Sequence, residues 1–152
     1  MDVGSGGYID PTKYYKIVVR NNPNYILDCS GTPGNGTNVQ MWQYIGIDRQ
    51  QWQFEYVGSG FYKIKIRNNP NYILDCSGTP ANTTNVQMWQ YLGIDRQQWQ
   101  LEDVGGGNYK FKIANNMNYV LDCSTTPANG VNVQMWQDVG VDRQQWQLVE
   151  VP

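Results

Sequence analysis

Three near-copies of a 47-residue unit, each built of short strand-forming runs and none carrying a helical period, predict an all-β chain of twelve strands closed as a β-trefoil. The repeat sets the number of units, the β-branched and aromatic runs set the strands, and the size of the unit sets the closure. Tyr-Lys-Ile/Phe begins at Tyr15, Tyr62 and Tyr109, steps of 47 residues. Leu-Asp-Cys-Ser recurs at Leu27, Leu74 and Leu121, Val-Gln-Met-Trp-Gln at Val39, Val86 and Val133, and Asp-Arg-Gln-Gln-Trp-Gln at Asp48, Asp95 and Asp142. The units run 14–60, 61–107 and 108–152, after a leader of residues 1–13. The first two differ at nine positions, a likeness that means recent duplication or deliberate symmetric design. The third has drifted further: Ala114 replaces the arginine seen as Arg20 and Arg67, Met117 the proline, and Asp138 the tyrosine.

Within the first unit, Tyr15 to Arg20 is β-branched and aromatic and reads as a strand. Asn21-Asn22-Pro23-Asn24 is a turn, since Asn tolerates the left-handed region and Pro presets φ. Tyr25 to Cys29 is a second strand, and Ser30 to Thr37, with its Gly, Pro and Asn, is a loop. Asn38 to Gln43 alternates as a third strand and Gln50 to Val57 makes a fourth, before Gly58-Ser59-Gly60 turns into the next unit. One unit of this size cannot bury its own apolar face. Three can close around a pseudo-threefold axis and protect their edges, whereas propellers usually have four or more blades.

Composition excludes several function classes. No apolar run approaches the roughly 20 residues that span a bilayer, so no membrane insertion is expected. Met1 to Gly7 lacks the basic and apolar regions of a secretory signal. A soluble protein is therefore expected, whether cytoplasmic, non-classically secreted or a recombinant domain. A net charge of −2 does not attract a phosphate backbone, so nucleic acid is not an expected partner. Lys63, Lys65 and Arg67 make a short basic stripe that reads as a solvated strand face. The chain has no histidine, which removes Ser-His and Cys-His nucleophile pairs and His-based metal sites. No metal or other cofactor is expected. Cys29, Cys76 and Cys123 are one position used three times and read as buried free thiols. Asn35-Gly36-Thr37 and Asn82-Thr83-Thr84 match N-glycosylation acceptors, which without a secretory context reads as chance.

The repeated motifs also carry chemistry. Strand alternation puts Val39 and Met41 on one face and Gln40 and Trp42 on the other. In Leu27-Asp28-Cys29 it turns Asp28 outward. Asp28, Gln40 and Trp42 are therefore expected to meet on one outer surface. That trio suits a pyranose: the ring stacks against its C–H face, the carboxylate accepts from its hydroxyls, and the amide both donates and accepts. The other readings are that Asp28 bonds a turn and that Trp42 covers the underside of the barrel. Trp52, Trp99 and Trp146 read as core, with Gln50 sharing their inward face. Asp48, Asp95 and Asp142 read as turn formers, and Tyr44 and Tyr91 as extensions of the aromatic platform that Asp138 interrupts.

On its three Gln-x-Trp motifs (Gln50-Gln51-Trp52, Gln97-Gln98-Trp99, Gln144-Gln145-Trp146), each preceded by Leu-Asp and Val-Gln-Met-Trp, the chain resembles the ricin B-type lectin family, also called the QxW repeat, over essentially all of 14–152. The resemblance implies a β-trefoil that binds glycans, often galactose-type sugars on glycoproteins or glycolipids. It assigns the sugar contacts to Asp28, Gln40, Trp42 and Gln50, to Asp75, Gln87, Trp89 and Gln97, and to Asp122, Gln134, Trp136 and Gln144. Where the family often has a sugar-bonding asparagine, this chain has Arg49, Arg96 and Arg143. Arginine donates but cannot accept, and it can pair with the neighbouring aspartate, which bears on the sugar preferred.

The expected function is a non-catalytic lectin with three similar sites, one per unit, each binding a monosaccharide with Kd on the order of millimolar. Multivalency would raise the apparent affinity for clustered glycans by ~10²-fold. A glycosidase working through Asp28 and Asp48 is the enzymatic alternative. A symmetric scaffold or protein-binding module without sugar activity is the other. A monomer is compatible with the sequence, which does not set the oligomeric state.

Overall fold

A computed structural model describes residues 8–152. The first seven residues of the expected leader, on which the secretory-signal reading rests, lie outside the described residues. The first unit folds as β1 (Tyr14–Val19), β2 (Tyr25–Cys29), β3 (Val39–Gln43) and β4 (Trp52–Gly58). The second supplies β5 (Phe61–Ile66), β6 (Tyr72–Cys76), β7 (Val86–Gln90) and β8 (Trp99–Gly105). The third supplies β9 (Asn108–Ile113), β10 (Tyr119–Cys123), β11 (Val133–Gln137) and β12 (Trp146–Val151).

Every pairing is antiparallel. β1 pairs β4, β4 pairs β5, β5 pairs β8, β8 pairs β9, β9 pairs β12 and β12 returns to β1, so six strands close a barrel with no free edge. The other six form three hairpins, β2–β3, β6–β7 and β10–β11. Each leans on the barrel through a single pair, of which Val18 with Ile26 is the first. Barrel plus three hairpins is the β-trefoil that the repeat predicts.

Period-two patterning directs the core. Tyr15, Ile17 and Val19 of β1, Ile64 and Ile66 of β5, and Phe111 and Ile113 of β9 are all fully buried. Trp52, Trp99 and Trp146 lie in the same cluster, as expected. Their indole N–H groups donate to the carbonyls of Leu27, Leu74 and Leu121 at 3.0, 3.0 and 3.1 Å, tying each hairpin to the barrel beneath it. Cys29, Cys76 and Cys123 are buried free thiols. Burial raises all three, Cys76 and Cys123 to about 11.

The units are joined across the threefold axis by backbone and side chain together. Gly36 N–H donates to the Met88 carbonyl at 2.9 Å, and Met88 N–H to the Thr37 carbonyl at 2.8 Å. The same pair of bonds recurs from Thr83 and Thr84 to Met135, and from Gly130 and Val131 to Met41. On the axis, Asn38 donates to Asn132, Asn132 to Asn85 and Asn85 to Asn38, each at 2.9 Å, closing a ring of three amides.

The connections follow their sequences, with one correction. Asn22 accepts from the Asn24 N–H at 3.2 Å in the expected Asn-Pro turn. Ser59 and Gly60 both take positive φ (55° and 87°) in the turn from β4 to β5, the backbone that two-residue hairpins favour. Thr83 is forced to φ 79°, where the other units have Gly36 and Gly130 at 90° and 88°. The fourth strand starts at Trp52 rather than Gln50, because Asp48–Gln50 winds into a single 3-10 turn, with Gln51 N–H donating to the Asp48 carbonyl at 3.1 Å. Asp95–Gln97 and Asp142–Gln144 do the same. No described helix is long and apolar enough to cross a membrane.

Candidate functional site

The hairpin registers bring the expected residues onto one face. Asp28 stands opposite Gln40, and Ile26 opposite Trp42. Asp75 faces Gln87 with Ile73 facing Trp89, and Asp122 faces Gln134 with Val120 facing Trp136. Val39, Met41, Leu27 and Cys29 take the other side and enter the core. Trp42, Trp89 and Trp136 are half-buried, on the face turned away from that core.

The structure corrects the expected exposure of the aspartates: Asp28, Asp75 and Asp122 are 0% exposed. Alternation chose the face correctly but could not show what lies on it. The 3-10 turn packs on β2 and lays Gln50 and Arg49 over the carboxylate. Asp28 Oδ1 accepts from Gln40 Nε2 at 3.1 Å and Oδ2 from Gln50 Nε2 at 3.0 Å. In the second unit both distances are 3.0 Å, and in the third they are 3.1 and 3.0 Å. Burial pushes all three carboxyls above the ordinary range, opposed by the two amide donors and by the neighbouring arginine.

Gln50 is inward as expected, but by turn geometry rather than by sharing a strand face with Trp52. Its Nε2 also donates to the Gln43 carbonyl at 2.9 Å, and its Oε1 accepts from the Ile45 N–H at 2.8 Å. The side chain is therefore a bracket holding the loop after β3 against Asp28. Gln97 and Gln144 repeat it.

Arg49 Nε lies 3.9 Å from Asp28 Oδ2, Arg96 Nε 3.9 Å from Asp75 and Arg143 Nε 3.7 Å from Asp122. These are ion pairs longer than a hydrogen bond, and each Nε is buried with no hydrogen-bond partner. The arginine side chains as a whole remain 34–40% exposed.

Several neighbours were not legible as a group. Tyr44 is half-buried, its hydroxyl accepting from Gln51 Nε2 at 2.9 Å, and Lys16 Nζ sits 4.6 Å from the centre of its ring. Lys63 lies over Tyr91 at 4.2 Å in the same way. In the third unit the equivalent Lys110 pairs with Asp138 at 2.8 Å. The signal was present: a lysine at one repeat position whose partner changes with the tyrosine. Asp48 and Asp142, the turn formers, are met by Arg67 and Arg20 of adjoining units at 3.9 and 3.8 Å. Ala114 stands where a third such arginine would face Asp95. The basic stripe is partly neutralised, since Lys63 and Lys65 both pair with Glu55, at 3.4 and 3.0 Å.

The family model described as ricin-type beta-trefoil lectin domain-like matches residues 7–89, 48–136 and 95–152, overlapping stretches that together span the trefoil. The chain belongs to the ricin-type β-trefoil lectin family. Among proteins of curated function, none matches this ricin-type domain in sequence. Among solved structures, the designed threefold-symmetric protein ThreeFoil is 35% identical over 91% of this chain and 99% of its own, with a TM-score of 0.86. An exo-β-1,3-galactanase from Clostridium thermocellum is 28% identical over 95% of this chain but only 31% of its own, with a TM-score of 0.85. A Macrolepiota procera ricin B-like lectin, solved in complex with lactose, shares the fold at 23% identity, with a TM-score of 0.75 over 93% of this chain and 97% of its own. The ricin-type trefoil thus occurs among these relatives as a free-standing lectin, as one part of a larger enzyme and as a designed symmetric protein.

Proposed function

We propose that this chain is a carbohydrate-binding lectin with three similar sites, one per unit, that takes galactose-type sugars on glycoproteins or glycolipids. The observation that carries the reading is the repeated juxtaposition of a half-exposed tryptophan with a buried aspartate bracketed by two amides. Trp42, Trp89 and Trp136 offer a ring for the apolar face of a pyranose. Gln40, Gln87 and Gln134 and the three arginines offer polar groups at its edge, while Asp28, Asp75 and Asp122 anchor the amides that do so. The lactose in the Macrolepiota procera lectin and the galactan acted on by the Clostridium thermocellum enzyme make galactose the first sugar to try.

Binding rather than hydrolysis is supported by what the acids touch. Asp28 is occupied by two amides, and Asp48 turns to Arg67 of the next unit, so the two do not share a partner. A silent scaffold has one observation in its favour: Asp28 is satisfied internally and needs no ligand. The triple variant W42A/W89A/W136A separates these readings. On a glycan array the parent binds a defined glycan class, and the folded variant, with unchanged far-ultraviolet circular dichroism, loses it. A parent that binds no glycan sinks the lectin reading. A variant that binds like the parent moves the site elsewhere.

A further inference from the structure

The three arginines carry an inference about which sugars enter, and it rests on the sugar-binding reading above. Each arginine side chain is 34–40% exposed beside an aspartate that is 0% exposed, its Nε 3.7–3.9 Å from the carboxylate. Both Asp28 oxygens already accept from Gln40 and Gln50. A ligand approaching beside Trp42 therefore meets the donors of Arg49 before it meets the Asp28 acceptors. Nε is turned inward, buried without a hydrogen-bond partner at 3.7–3.9 Å from the carboxylate, while the terminal nitrogens of these 34–40% exposed side chains make no hydrogen bond or ion pair among the described residues and are the donors left for a ligand. A guanidinium offers only donors, in a fork that matches a carboxylate or sulfate, and charge-assisted bonds are about twice as strong as those to a neutral hydroxyl.

We propose that the sites select sugars bearing an acidic substituent, a uronate carboxylate or a sulfate, with Arg49, Arg96 and Arg143 as the residues that read it. The buried aspartate opposes an incoming anion, but it sits behind the guanidinium and is already paired with it. The nearest exposed acids are also engaged in two units, Asp48 by Arg67 and Asp142 by Arg20. In the second unit Ala114 leaves Asp95 without that partner among the described residues, so the second site is the weakest of the three for an acidic sugar.

Affinities of the whole chain for galacturonic acid, galactose 6-sulfate and neutral galactose test this, measured by titration nuclear magnetic resonance at low and at high salt. The acidic sugars are expected to bind about tenfold more tightly than galactose at low salt, with the ratio shrinking as salt screens the pair. In R49Q/R96Q/R143Q, with its fold checked by circular dichroism, the acidic sugars lose about tenfold more affinity than galactose does, so the ratio falls to near one. In R49K/R96K/R143K, which keeps the charge and loses the fork, part of the preference remains. Equal or tighter binding of galactose by the parent overturns this selection and leaves the lectin reading standing. Failure of the parent to bind any of the three sugars overturns both.

Discussion

Changing Gln50 to glutamate alters one atom of the bracket and tests its geometry directly. The Ile45 N–H at 2.8 Å fixes Oε1 as the acceptor end, so the nitrogen faces Asp28 Oδ2 at 3.0 Å and the Gln43 carbonyl at 2.9 Å. In Gln50→Glu that nitrogen becomes a carboxylate oxygen 3.0 Å from another. Two unit charges at that separation repel by about 5–6 kcal/mol at an effective dielectric of 20. Binding one proton between them at pH 7 is cheaper, about 3.5–4 kcal/mol for a group whose ordinary value is near 4.3. The cheaper route sets the expected destabilisation at neutral pH. Because the folded variant then holds a proton that the unfolded chain does not, the deficit is present above the ordinary carboxylate range. It shrinks by about 1.4 kcal/mol for each pH unit as the pH falls toward that range. Urea unfolding of parent and variant at pH 7 and pH 5 reads both quantities, and a melting point lowered by roughly 7–15 °C at pH 7 corresponds to them. A loss below about 1 kcal/mol at pH 7, or one that does not change with pH, would refute the assigned contact between Gln50 and Asp28.

Other expectations follow from single features. Thr83 at φ 79° is a β-branched residue in a left-handed conformation, so Thr83→Gly should raise stability by about 0.5–1 kcal/mol after the added chain entropy is counted. An unchanged or lower urea midpoint would contradict that strain. Trp52→Phe removes the donor to the Leu27 carbonyl and part of a fully buried ring, and should cost about 2–4 kcal/mol by the same measurement. Burial raises the Cys76 and Cys123 thiols to about 11, so the native protein at pH 8 should resist a thiol reagent while the urea-unfolded chain titrates three thiols; rapid native labelling would show them accessible. The raised carboxyls of Asp28, Asp75 and Asp122 bind protons more tightly in the folded state than in the unfolded one. Their contribution to stability therefore grows as pH falls through their folded values toward 3.8, and a potentiometric proton uptake on refolding in that range is the check.

Much of this was readable from residues alone, for reasons that differ by element. The spacing of Tyr15, Tyr62 and Tyr109 and the alternation through Val39-Gln40-Met41-Trp42 placed the strands and chose their inward faces, because pleating is a local property. Asp28 was assigned to the right face and the wrong environment. Its cover comes from a turn 20 residues downstream, and no local pattern reports what folds over a strand. The bracket that Gln50 makes went unread for the same reason, since Gln50 looks like the first residue of a strand until the 3-10 turn Asp48–Gln50 forms. The lysine-to-tyrosine contacts needed β1 and the loop after β3 to be neighbours, which only the closed hairpin makes them.

The ring of Asn38, Asn85 and Asn132 has a further meaning for how the three units age. Each amide gives to one neighbour and takes from the other, so the ring runs in one rotational sense and has no spare member. A mutation at one asparagine therefore disturbs a partner in each of the other two units at once. Positions away from the axis are free to wander copy by copy, as Asp138 and Met117 show, but the axis is inherited jointly. A trefoil grown from one ancestral piece can lose its visible symmetry everywhere else and still be held to it at this point.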